Sequence, residues 1–517
     1  MSPAYRAHFG DGTTFDLSYD MGVLRAQLEA VEPGAGGAFF DWLGRARASL
    51  DLGVRAFIER DSTSATDFVN PALVLPLALK VNPLELLGSS HAQMSAYFKS
   101  PKLRALFSFQ DLYVGLSPYS APGVFSLLAA TELTDGVWYP KGGFGTVRDA
   151  LRAAAVANGV AIRTGAEVAR IKLCDDEAGG SGAADAPGGA SPAPARPRVR
   201  GVTLAGGEFV PSDIVVANAD LPYVFSSLLS SGSSSAAAAA ASPLTPPSPP
   251  PSPPRPEYDA EAARVDAMDF SASVVAFNWA LSAPLPGLLH HNVFLSSDFK
   301  GSWDRPCAPS DMDAPRQLNF YAHYPCVTDP SAAPPGCSSL MVLLPVGNLK
   351  EQRTAAAKAA AKAARRGGAQ PPPPPSDDGL PDPAVMVAAA KAAVLRRLSA
   401  DGHGDVGSLI VSETVIAPAE WRDRYNIAHG AVFGLSHGLL QLACFRPPTR
   451  TGLPGWSDTP ETKGLYFVGA STRPGNGVPL VMMGVKTCFE AIVKEREAEG
   501  AAAARAERGA PAGVVAR

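Results

Sequence analysis

Apolar side chains recur at three and four in GVLRAQLEAV (22–31) and FFDWLGRARASLDLGVRAFI (39–58). That spacing lines one face of a helix, so the chain is predicted to open with helices. TVRDALRAAAVANG (146–159) predicts a further helix, with Val147 and Leu151 on one face and Asn158-Gly159 as its stop. VAIRTGAEVARIKL (160–173) reads as a strand, a turn and a second strand, and GGEFVPSDIVVANAD (206–220) as another strand leading into a polar turn. SASVVAFNWAL (271–281) alternates with period two, placing Val275, Phe277, Trp279 and Leu281 on one side, and SLMVLLPV and SLIVSETVIAP supply more strands. The pattern is mixed α and β, with a sheet of its own in the middle of the chain.

Three stretches break the pattern. Residues 179–198 and 230–256 lack large apolar side chains and are loaded with Pro, Gly and Ser, while 354–383 begins as a helical spacer and ends in polyproline. All three read as surface insertions, tolerable because loop-closure cost grows only logarithmically with length. The remaining material, 46% hydrophobic over 517 residues, is ample for a core. A net charge of -4, with the basic residues scattered, gives no footprint for nucleic acid. The six cysteines form no CxxC pair, so neither a zinc site nor a redox dithiol is signalled, and the four histidines at 290, 291, 429 and 437 show no HxxxH spacing. No uninterrupted apolar run is long enough to span a bilayer; the nearest, Pro71 to Leu87, is broken by Lys80 and prolines.

Two glycine strings are decoys. GLSHG (434–438) fits the nucleophile-elbow pattern, but no histidine follows Ser436 beyond its neighbour His437, so the triad order is missing. PGAGGAFF (33–40) carries Phe39 where a dinucleotide fingerprint needs its last glycine and has no strand before it, so it is a turn between helices. GLYFVGASTRPGNGVPLVMMG (464–484) is different. A short buried strand, a backbone-rich turn and a helix with Pro479 in its first turn make a place to hold an anion or a flat polar ring.

That stretch resembles the C-terminal flavin-contacting motif of the phytoene desaturases of the bacterial and fungal type, within the FAD-dependent amine-oxidase-like superfamily. Other segments agree in family order: 109–151, from FQDLYVG to GTVRDAL; GAEVARI; DIVVANADLPYVF; and WRDRYNIAHGAVFGLSHGLLQLACFRP. The resemblance implies an α/β fold in which a Rossmann-like FAD domain, incomplete here, interleaves with a lipophilic substrate domain containing its own mixed sheet. It divides the chain into a helical part facing substrate and membrane (1–140), FAD-domain strands and helix (141–226, with an insert at 177–200), a disordered Pro/Ser/Ala insert (227–256), a substrate-domain sheet (257–440, with an insert at 353–383), the C-terminal strand, turn and helix of the FAD domain (441–495), and a disordered tail (496–517).

The resemblance further implies FAD as cofactor, a C40 carotenoid precursor as substrate, peripheral attachment to a membrane, and a quinone or oxygen as electron acceptor. A plastid is the expected compartment if the source is photosynthetic. Carried over residue by residue, it sets Gly469, Ala470, Ser471, Pro474, Gly477, Val478 and Pro479 against the isoalloxazine, and Val168 as the strand residue whose backbone faces the adenine. Ala470 stands where many relatives carry an acid, and Arg473 where His is common. No catalytic residue is assigned; Glu132, Asp135 and His429 are the acid/base candidates, with the two carboxylates read as exposed in a turn. The opening of the chain resembles the part of the family's sequence that lies beyond its GxGxxG segment, so a truncated reading of a longer protein is expected, leaving an exposed sheet edge if the chain acts as it stands. A carotenoid cis-trans isomerase and a cofactor-free pseudoenzyme are the alternatives.

Overall fold

The alternation at 271–281 is realised as one of the two longest strands of a seven-stranded mixed sheet in a computed structural model that describes residues 2–53, 88–175, 196–230, 255–313, 318–365, 380, 382–453 and 456–509. In chain order the strands are β1 (Tyr5–Phe9), β2 (Thr14–Leu17), β3 (Val168–Asp175), β4 (Pro197–Leu204), β5 (Phe209–Pro211), β6 (Val215–Ala217), β7 (Ser273–Leu281), β8 (His291–Leu295), β9 (Phe320–His323), β10 (Ser338–Val346), β11 (Ile410–Ile416) and β12 (Leu465–Phe467). The described residues gather into two compact units, one from 1–54, 69–165 and 268–441, the other from 166–267 and 442–517.

In the first unit the sheet order is β11-β7-β10-β9-β8-β1-β2. All its neighbours are antiparallel except β1 and β8. Val275, Phe277, Trp279 and Leu281 lie buried on one side of β7 as the period predicts, each contributing about 2 kcal/mol by leaving water, while Asn278 and Ala280 are exposed. The helix Pro383–Ala400, capped by the Asp382 carboxylate, lays Met386, Ala390, Ala393, Val394 and Leu398 on this core. A second core forms where β1 and β2 meet the helices Met21–Val31 and Ala35–Gly53, closing over Phe39, Trp42, Phe98, Phe107 and Phe109.

The first helix starts where Asp20 accepts from the N–H groups of Gly22 and Val23, and PGAGG is a helix-connecting turn with Gly34 at φ 90°. The prediction of a helical opening missed β1 and β2, which precede both helices. Their hairpin turn was visible as Asp11-Gly12, with Gly12 at φ 84° and Phe9 N–H donating to Thr13 O. The helix Phe144–Ala157 ends at Asn158-Gly159 as predicted, but Val147 and Leu151 are exposed and no residue of the helix is buried. It belongs to the first unit, although the sequence groups it with the strands that follow.

The second unit holds the antiparallel sheet β3-β4-β5 and the parallel pair β6-β12. The strand expected at 160–165 does not form; the segment is irregular, with Val160 and Ile162 exposed and no sheet partner among the described residues. The last helix runs Val478–Gly509, past residue 496 where a disordered tail was expected. Its inner face puts Cys488, Ala491 and Ile492 against Tyr466 and Val468, while Met482, Val485 and Phe489 on the outer face are exposed. The greasy segment Pro71–Leu87 and most of the three predicted insertions lie outside the described residues; of the third, the helical spacer is present as the end of the helix Leu349–Arg365. No described helix is long and apolar enough to cross a membrane.

Candidate functional site

The strand, turn and helix start read from 464–484 are present in the second unit. β12 is fully buried because it pairs with β6 on one edge, Leu465 to Val215 and Phe467 to Ala217, and is covered by the last helix. Gly464 makes the entry to the strand possible: at φ 73°, a Cβ there would stand 2.2 Å from Asp213 O.

The turn after β12 is held from beneath by two buried arginines. Arg446 donates from Nε to Thr472 O at 3.1 Å and from Nη2 to Ala470 O. Arg473 donates from Nε to Arg446 O at 2.9 Å and from Nη2 to Cys444 O at 2.7 Å. Burial lowers the Arg446 guanidinium to about 9, against the opposing field of Asp220, so it stays charged at neutral pH and binds the turn's carbonyls strongly. Ser471 Oγ donates to Asp220 Oδ1 at 2.6 Å, and Thr472 Oγ1 to Gly469 O at 2.9 Å.

Gly469, Ala470, Ser471, Pro474, Gly477, Val478 and Pro479 are thus brought onto one turn, with Ser471 buried and Gly477, Val478 and Pro479 exposed. Val168 is not on it; it opens β3, in a separate sheet, opposite Leu204. The sequence missed Arg446, Asp220 and Asn218, since each lies far along the chain from the turn it shapes, and gave Arg473 no role. Their signal was present only as the polar ends of two apolar runs, IVVANAD and ACFRP.

The turn fits a flat ring at its exposed end. Gly477 has φ 92° and nothing within 4 Å of the position its Cβ would take, so a planar group can approach the backbone at the start of a helix. At Gly469 a Cβ would crowd Asn218 Oδ1 at 3.2 Å. For the ADP half of FAD, the described residues offer no strand that leads through a GxGxxG turn into a helix. One literal GxGxxG, Gly402 to Gly407, follows the helix Pro383–Ala400 and precedes β11, the reverse of what a pyrophosphate cradle needs.

In the first unit, Glu132 overturns its sequence reading. It lies half-buried on the helix Ser126–Asp135, with Tyr5 OH donating to Oε1 and Gln110 Nε2 to Oε2, both at 3.2 Å. Burial raises its pKa to about 7, with the hydrogen bonds from Gln110, Tyr113 and Tyr5 pulling the other way. Asp135 is exposed and bound to Arg47. His429 sits at φ 54° with its ring edge-on to Phe270 and Nδ1 3.2 Å from Arg353 Nη2. These three candidates do not form one site. GLSHG is irregular backbone containing the isolated bridge Phe270–Leu435, not a strand-to-helix elbow, with Ser436 and His437 buried.

Residues 2–189 match the family of flavin containing amine oxidoreductases. The chain is 31% identical to a phytoene desaturase of Neurospora crassa over 95% of this chain and 71% of that protein. It is 32% identical to a phytoene desaturase of Phycomyces blakesleeanus over 94% and 70%, and 29% identical to a zeta-carotene-forming phytoene desaturase of Myxococcus xanthus over 96% and 79%. With this likeness running through both compact units and across the turn at 469–479, the chain belongs to the phytoene desaturase family of flavin-containing oxidoreductases.

Proposed function

We propose that this chain is an FAD-dependent desaturase of a C40, phytoene-like carotenoid precursor, working at a membrane surface and passing its electrons to a quinone or to oxygen. The observation that carries the reading is the similarity to phytoene desaturases over 95% of the chain, including the glycine turn that leaves backbone open to a flat ring. Bound FAD would supply the acceptor for a hydride from an allylic carbon, while the adjacent carbon releases a proton and the new double bond forms.

The chain's own residues do the holding. Arg446 and Arg473 lock the carbonyls of 470, 472, 444 and 446, which holds the first part of the turn without help from the cofactor. Preorganisation of that kind lowers the ordering cost of binding. A polyene has no polar handle, so its binding rests on apolar area at about 25 cal/mol per Å². Glu132 is the candidate to take the proton, since a carboxyl near pH 7 exists in both forms at working pH.

The test is incubation of the protein with phytoene-containing liposomes, FAD and a quinone, followed by chromatography with absorption spectra. Products with a longer chromophore support desaturation. Products of unchanged double-bond count would establish an isomerase instead, and a protein that retains no flavin after desalting would overturn both. Glu132→Gln is expected to cut turnover at least about 100-fold; full turnover in this variant removes Glu132 from the chemistry.

A further inference from the structure

β8 begins at His291 and β9 ends at His323, and their antiparallel register sets the two residues directly opposite each other. His290, the residue before β8, adds a third imidazole. One ring nitrogen from each of the three lies within 4.8 Å of the others, and His290 Nε2 is 2.9 Å from His323 Nε2. His290 is buried; the other two are partly covered.

The outward nitrogens are already engaged. His290 Nδ1 meets Thr328 Oγ1, and His291 Nδ1 meets Tyr321 OH. When each Nδ1 carries its proton and donates to the hydroxyl, the corresponding Nε2 is a bare lone pair, the tautomer that a metal requires and that such outer partners enforce. Ring contacts restrict the orientations further: Tyr139 packs edge-on to His290 at 4.5 Å, and Tyr5 stacks on His291 at 5.1 Å. With no ion, the 2.9 Å contact is an N–H···N hydrogen bond that uses one lone pair; with an ion, both lone pairs are used.

We propose that His290, His291 and His323 form a three-imidazole site for a divalent transition-metal ion of the zinc class, with its fourth position open. An all-nitrogen donor set suits such an ion and not calcium or magnesium, which take oxygen ligands. Metal–nitrogen bonds of about 2.0 Å require the donors about 3.3 Å apart, so ring movements of an ångström or so complete the site. No sequence spacing announces the site, because its ligands come from an adjacent pair and a residue across the sheet.

The test uses the untagged full-length protein, supplied with FAD and titrated with Zn²⁺ against a chromophoric chelator. One ion per chain with a Kd of about 1 μM or tighter is expected. His290→Gln and His323→Gln should each weaken binding more than about 100-fold, Tyr321→Phe about tenfold, and His91→Gln not at all. A Kd weaker than about 100 μM, or undiminished binding in both His→Gln variants, overturns the proposal. The zinc-edge X-ray absorption spectrum of the unmutated protein decides the matter without any variant: scattering from three imidazoles supports the site, and its absence refutes it.

Discussion

Replacing Glu132 with Gln removes one ionisation while keeping the side chain's shape and its place beside Tyr5 and Gln110. In the folded protein burial raises the carboxyl from 4.5 to about 7. Below pH 4.5 the group is protonated whether the chain is folded or not, and it contributes nothing to the pH dependence. Between 4.5 and 7 the unfolded chain releases the proton while the folded one keeps it, so stability falls as pH rises; above 7 the loss is constant. At about 1.4 kcal/mol per pH unit, the full loss is about 3 kcal/mol. The Gln variant has no such loss. Thermal unfolding of the two proteins at about pH 5, 6, 7 and 8 should therefore show a variant only slightly the more stable at the lowest pH and more stable by about 5 °C at the highest. A difference that does not change with pH would refute the reasoning, and so would a variant that is the less stable at the highest pH, which would mean that the carboxylate is ionised and held by its donors.

Arg446→Met should destabilise the second unit by about 3 kcal/mol, because it strips a charged donor from two carbonyls in a buried setting, and should lower flavin retention on a desalting column; equal retention would separate the turn's shape from its arginine. Gly464→Ala should cost more than about 2 kcal/mol, read as a lost soluble yield or an earlier denaturant midpoint, since its Cβ would meet Asp213 O at 2.2 Å. Ser471→Ala, which loses one bond to Asp220, should cost about 1 kcal/mol in the same assay.

Local pattern was enough for much of this protein. The alternation of β7, the helix stop at Asn158-Gly159, the connecting turn at Gly34 and the strand–turn–helix around 464–484 all depend on residues within a few positions of one another, so their side-chain period and glycine placement settle them. The same reach explains why seven candidate flavin contacts fell on one turn while Val168 fell elsewhere. Sequence also excluded the hydrolase elbow correctly, since the missing histidine is a matter of chain order.

Other features required tertiary structure because they are made by pairing across long separations. β1 is a strand because it pairs with β8, nearly three hundred residues on, whereas 160–165 has an equally suitable pattern and no partner among the described residues. Glu132 stands in the sequence stretch TELTD, whose polar residues suggest a solvated turn, yet Tyr5 and Gln110 bond to it and burial alters its ionisation. Arg446 and Arg473 became the supports of the turn only when folding brought each guanidinium beneath carbonyls that water would otherwise have satisfied. The meeting of His290, His291 and His323 comes from a strand register, which fixes cross-strand neighbours that periodicity along one strand cannot reveal.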